Sequence, residues 1–173
     1  MTTTIIAPFH GTHDHDNCLD EALRVAEKSC RTRGLRLTKV RRQVLALVWQ
    51  SHKPQRAYDV LKGLKAYGHR PAPPTAYRAL EFLEQAGLIH RIESLNAYIG
   101  CADPGDNHTS QFFICDECDA VAEIQDTALT RKLSKDAHEL GFTPRDQTIE
   151  IRGLCRRCNE GNRVGMLNSG DYV

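Results

Sequence analysis

Apolar residues recur along the first half of the chain at helical spacing. Leu19, Ala22, Leu23, Ala26 and Cys30 share one face, and Gly34 follows where a C-cap glycine belongs, which predicts a helix over about Leu19 to Arg33. Thr38 is placed to cap a second helix carrying Val40, Val44, Leu45, Leu47 and Val48, with Pro54 marking the break after it. A third, about Ala57 to Tyr67, turns Val60, Leu61 and Leu64 inward and stops at Gly68. The run Arg70-Pro-Ala-Pro-Pro reads as a turn. Its last two prolines fit the first turn of a fourth helix, where a missing N–H costs nothing, and that helix carries Ala76, Ala79, Leu80 and Leu83 before Gly87.

Beyond Gly87 the period changes. Leu88 to Glu93 and Ala97 to Cys101 alternate as strands around Ser94-Leu95-Asn96, which predicts a β-hairpin. A lead helix, three further helices and a hairpin form the order of a winged helix-turn-helix. A Pro, Gly and Asp-rich stretch follows. Then Gln111 to Ile114 and Val121 to Ile124 read as strands, Thr127 to Leu140 as a helix ended by Gly141, and Thr148 to Leu154 as a third strand. The expected class is α+β: an N-terminal winged-helix DNA-binding domain followed by a small α/β domain. The expected division is a flexible arm over 1–16, the winged helix over 17–101, a hinge over 102–109, the second domain over 110–158 and a loose polar tail over 159–173.

Charge sharpens this picture. The formal net charge is only +1 over 173 residues. Between Arg31 and Arg91, however, 13 Lys and Arg face only Asp59, Glu81 and Glu84, a local balance of +10, while both flanks are acidic. A basic block of that size suits a polyanion such as double-stranded DNA. The longest apolar run, Val44 to Trp49, is far too short to span a bilayer, and Met1 to His10 lacks the basic start of a signal peptide. A cytoplasmic protein without a membrane role is therefore expected.

In a reducing compartment, cysteine pairs read as metal ligands or redox centres rather than disulfides. Seven cysteines include two C-x-x-C pairs, Cys115/Cys118 and Cys155/Cys158, each just after a predicted strand. Both thiolates of such a turn can face one ion, and two turns complete a tetrahedral four-thiolate zinc site. With no open coordination position it would be structural, not catalytic. The competing reading is a dithiol redox switch. A looser constellation, His90, Cys101, His108 and Glu123, spans the hairpin, the hinge and the first strands of the second domain. Each has an ordinary alternative: a solvent-facing wing histidine, a buried thiol, a loop histidine, an exposed strand carboxylate. Taken together, two imidazoles, a thiolate and a carboxylate suit zinc better than manganese or iron. The deaminase pattern H-x-E before P-C-x-x-C is absent, so a zinc enzyme is not expected.

Several stretches together resemble the ferric-uptake-regulator family: Arg36-Leu-Thr-Lys-Val-Arg-Arg-Gln-Val-Leu, Ala57-Tyr-Asp-Val-Leu, Pro74-Thr-Ala-Tyr-Arg-Ala-Leu-Glu-Phe-Leu, Gly87-Leu-Ile-His-Arg-Ile-Glu and the paired C-x-x-C motifs. The likeness covers roughly Leu19 to Cys158. His108-Thr-Ser-Gln-Phe-Phe-Ile-Cys is similar to the zinc-sensing branch in particular. The resemblance implies a homodimer formed through the second domain. It implies a structural zinc on Cys115, Cys118, Cys155 and Cys158 and a regulatory zinc on His90, Cys101, His108 and Glu123, hence two Zn²⁺ per chain. It also implies repression of zinc-uptake genes. A sibling sensor of another metal or of peroxide is the main alternative. The His-rich run that many ferric regulators carry before the first knuckle is reduced here to His108, which argues against a third metal site.

The fourth helix is expected in the major groove, where Thr75, Tyr77 and Arg78 lie on its first turns. Arg78 has the fork geometry for guanine O6 and N7, and Tyr77 can meet a thymine methyl or a phosphate. Arg36, Lys39, Arg41, Arg42 and Arg56, with Lys62 and Lys65, are candidate phosphate contacts that position without reading sequence. A two-fold dimer implies a pseudo-palindromic operator.

Overall fold

The computed structural model describes residues 3–9, 15–51, 53–68, 73–104, 109–145 and 147–167. In chain order these form β1 (Thr3–Ala7), α1 (His15–Thr32), α2 (Lys39–Trp49), β2 (Gln55–Arg56), α3 (Ala57–Ala66), α4 (Pro73–Gln85), β3 (Ile89–Ile92), β4 (Ala97–Gly100), β5 (Gln111–Cys115), β6 (Val121–Asp126), α5 (Thr127–Glu139), β7 (Ile149–Gly153) and α6 (Arg156–Leu167). Among the described residues, no helix is long and apolar enough to cross a membrane. The chain separates into two compact units, residues 11–108 and a second made of 1–10 with 109–173.

The first unit is the expected winged helix. Thr38 caps α2, its side chain accepting from the Arg41 N–H at 3.4 Å, and Gly34 takes φ +66° after α1. The stripes read from the sequence are the core: Leu23, Ala26 and Cys30 of α1 pack with Val44, Leu45 and Val48 of α2, Val60 and Leu64 of α3, and Ala76, Ala79, Leu80 and Leu83 of α4. The hairpin pairs Ile89 with Gly100 and Ile92 with Ala97, and Asn96 makes its turn at φ 46°. The wing has a third strand that the sequence pattern did not reveal. The two residues of β2 pair with Tyr98 and Ala97, giving the order β2-β4-β3. Gly100 faces the Trp49 indole so closely that a Cβ there would run into the ring, which ties the wing to α2.

The second unit is a four-stranded sheet in the order β1-β6-β5-β7. β5 and β6 are antiparallel, β5 and β7 parallel, and α5 connects β6 to β7. Asp126 caps α5 by accepting from the N–H groups of Ala128 and Leu129.

Two expectations are corrected here. The first residues do not form a loose arm: Thr3–Ala7 is a strand laid antiparallel on β6, with Ile5 opposite Ile124 and Ala7 opposite Glu123. β6 would otherwise present an edge of unpaired backbone groups, and β1 satisfies them. The expected arm also reached into α1, which begins at His15, while residues 10–14 lie outside the described ones. The tail is not loose at its start either, since α6 continues to Leu167; residues 168–173 lie outside the described ones.

Candidate functional site

The two C-x-x-C pairs meet because their strands are neighbours. β5 and β7 run parallel with Cys115 opposite Gly153, so both chains leave the sheet at the same end. After β5 the chain turns back through Cys115 N–H to Ala120 C=O at 2.9 Å and Asp119 N–H to Cys115 C=O at 3.0 Å, with Asp119 at φ 55°. After β7, Cys155 precedes α6 and Cys158 lies in its first turn. The Asp116 N–H donates to the Gly153 carbonyl at 2.8 Å, and Arg152 pairs with Asp116 at 2.6 Å, so the two knuckles are laced together beside the thiols.

The four Sγ atoms lie within 4.8 Å of one another, and those of Cys118 and Cys155 are 3.9 Å apart. A tetrahedral ion with Zn–S bonds of about 2.3 Å requires sulfurs about 3.8 Å apart. The residues therefore fit zinc in geometry as well as in donor chemistry. Cys115 and Cys155 are buried, Cys118 and Cys158 half-buried, and Ala120 and Phe9 pack against the cluster.

The thiols are not equivalent. Burial opposes ionisation of Cys115, but the backbone N–H groups of Cys155, Cys118 and Glu117 outweigh it and bring the thiol down to about 6. The Cys155 N–H lies 3.3 Å from that sulfur. Hydrogen bonding with Cys155, then burial and the nearby Cys118 and Cys115, push Cys158 up to about 12. Burial raises Cys118 as well. Without metal, Cys115 ionises readily while Cys118 and Cys158 hold their protons, and a divalent ion bound there would supply the charge that releases them.

The second set is not assembled within one unit. His90 on β3 stands opposite Ile99, and the Cys101 N–H donates to the Leu88 carbonyl at 3.1 Å. Alternation therefore puts His90 and Cys101 diagonally on one face of the hairpin. Cys101 is buried and His90 half-buried. Glu123 belongs to the other unit, buried on β6 rather than exposed, with its Oε1 accepting from the Ser110 hydroxyl at 2.7 Å. His108 lies outside the described residues. Among those residues, the four cysteines are the one His, Cys, Asp or Glu group whose ligand atoms converge.

On α4, burial of Ala76, Ala79, Leu80 and Leu83 leaves Thr75, Tyr77 and Arg78 exposed. Tyr77 is 56% exposed and is not part of the core. It lines an open cavity of ≈ 380 Å³ with Arg56, Tyr58, Asn96 and Tyr98. Tyr58 was missed in the sequence although it falls off the apolar stripe of α3; it is 64% exposed with the Lys62 ammonium 4.4 Å from its ring centre.

The basic residues divide. Arg36, Lys39 and Arg56 are exposed. The Arg41 guanidinium stacks 3.4 Å from the Phe82 ring centre and donates to the Arg36 carbonyl at 2.6 Å, joining α2 to α4. Arg42 is paired with Glu27 of α1 at 2.9 Å, although both remain half-exposed and the pair is weak.

The sequence model of the ferric uptake regulator family matches residues 32–152. The chain is 40% identical to the zinc uptake regulation protein of Escherichia coli (strain K12) over 141 residues, 81% of this chain and 82% of that protein. Identity to the ferric uptake regulation protein of Bordetella parapertussis is 28%, over 74% of this chain and 92% of that protein. Among solved structures, a zinc uptake regulator complexed with zinc and DNA superposes with a TM-score of 0.80 at 39% identity, covering 84% of this chain and 97% of that one.

Proposed function

The chain belongs to the ferric uptake regulator family, and from that premise we propose that it is a zinc-responsive transcriptional repressor. As a zinc-loaded homodimer it binds a pseudo-palindromic operator and represses genes for zinc uptake. It is a transcription regulator and not an enzyme; the four-thiol cluster leaves no coordination position for a substrate. The observation that carries the zinc assignment is the difference in likeness, 40% to a zinc regulator against 28% to a ferric one over similar lengths. The donor set agrees, since thiolates suit zinc and disfavour manganese.

Two zinc ions per chain follow from the assignment. One, on Cys115, Cys118, Cys155 and Cys158, holds the second unit together. The other, on His90, Cys101, His108 and Glu123, takes ligands from both units and is the sensor. Dimerisation is supported by apolar surface that the second unit does not cover. α5 has no buried residue, and Leu129, Leu133, Phe142, Ile151 and Leu154 all remain exposed. A sheet-and-helix unit with this much bare apolar surface is completed by a second copy.

The test is a mobility shift of candidate operator DNA against buffered free zinc, with ferrous and manganous ions in parallel. Zinc should switch binding on at far lower free concentration than either other metal. An equal response to iron would overturn the zinc assignment.

DNA reading falls to α4. Arg78→Ala should cost about 1–3 kcal/mol on the cognate operator and relax its preference, as expected of a lost bidentate base contact. Lys39→Ala should weaken binding to all sequences alike and flatten the salt dependence. Affinities for operator and scrambled duplex across a salt series check both. Equal losses on both duplexes for Arg78→Ala would reduce it to a phosphate contact.

A further inference from the structure

Glu123 is 3% exposed, and burial of a carboxylate is costly unless polar groups meet it. Phe112, 1% exposed, stands opposite it on β5, and Ala7 opposite it on β1. Ser110, 5% exposed, precedes β5 on the same side as Phe112, which makes it the diagonal neighbour of Glu123. Its hydroxyl donates to Glu123 Oε1 at 2.7 Å, a well-formed hydrogen bond. The Ser110 backbone is tied to β7, its carbonyl accepting from the Ile149 N–H at 3.4 Å.

We infer that Ser110 is a positioning residue for the regulatory zinc: its hydroxyl fixes the rotamer and plane of the Glu123 carboxylate before the ion arrives. This rests on Glu123 being a ligand of that zinc. A long side chain that is already oriented loses little freedom on coordination, and outer-shell partners of this kind tune metal affinity. Chain continuity with β5 and the backbone hydrogen bond from β7 hold the serine beside a flexible ligand.

The experiment measures the affinity of the full-length dimer for its second zinc by competition with a chromophoric chelator, with the four-cysteine zinc retained. Ser110→Ala should weaken that affinity about 10- to 100-fold, and Ser110→Thr, which keeps a hydroxyl, should restore it. With cobalt as the probe ion, Ser110→Ala should alter the visible absorption of the second site, a change that a remote packing defect does not produce. Glu123→Gln is the companion variant. If it weakens the second zinc while Ser110→Ala binds like wild type, Ser110 does not position the ligand and the inference is overturned. Wild-type affinity in Ser110→Ala together with a lowered melting temperature would overturn it too, leaving the hydroxyl a purely structural role. Wild-type affinity in Glu123→Gln would instead remove Glu123 from the sensor set, and the inference with it.

Discussion

Cys155→Ser should yield a chain whose second unit does not fold and which no longer dimerises. Cys155 is buried at the junction of β7 and α6, its N–H supports the Cys115 thiolate and its sulfur lies 3.9 Å from that of Cys118. The buried cluster at this end of the sheet is Cys115, Ala120 and Cys155, with Phe9, Cys118 and Cys158 partly buried against it, so the zinc ligands make up most of what packs there. Structural zinc contributes roughly 10 kcal/mol or more in small zinc peptides, the size of the whole stability of an ordinary domain. Zinc content, dimer mass and circular dichroism check the outcome. A stable dimeric Cys155→Ser protein without this zinc would remove the structural role. Acid should have the same effect reversibly. Cys118 and Cys158 are raised in the metal-free cluster, so zinc must displace their protons at neutral pH. Zinc affinity therefore falls as pH falls. The Cys115 thiolate also protonates as pH passes down through about 6.

Cys101→Ser should have the opposite signature: a folded dimer that keeps its four-cysteine zinc and loses zinc-dependent operator binding. His108→Ala should behave alike. In the proposed mechanism the regulatory ion draws ligands from the wing and from the dimerising unit, so its binding selects one arrangement of the two. Half-sites on DNA are separated by a set helical distance, and in a dimer only one spacing of the α4 helices fits them. Zinc that binds this arrangement preferentially shifts the population toward it, and operator DNA must then tighten zinc by the same factor. Moving such an equilibrium from mostly off to mostly on requires differential binding of about 10⁴-fold, so the loss in Cys101→Ser should be large. Zinc content and operator affinity, each measured with and without added zinc, decide it. A wild-type zinc response in Cys101→Ser would remove Cys101 from the sensor set.

Much of this molecule is legible from local pattern. The α1, α2, α3 and α4 stripes predicted most of the helical core of the winged unit, with Leu19, Val40 and Leu61 only partly buried at its margin, because helical periodicity is a property of neighbours along the chain. The four cysteines were legible for a different reason. Each C-x-x-C is a local knuckle recognisable by its spacing and its place just after a predicted strand. Charge in a sequence does not say what a guanidinium touches: Arg41 stacks on Phe82, two helices away. Ser110 was invisible, since a lone serine acquires meaning only beside the buried Glu123.

The sequence by itself determined the winged helix, the basic face and the two thiol pairs, each encoded over a few turns or a four-residue motif. Tertiary structure alone decided three things. It joined Thr3–Ala7 to a strand more than a hundred residues away, where pairing is set by a vacant edge rather than by any pattern in β1 itself. It made a wing strand of the two residues of β2, too short for alternation to register. And it set the acidity of Cys115, because its stabilising N–H groups come partly from Cys155 across the cluster and exist as neighbours only once β5 and β7 lie side by side.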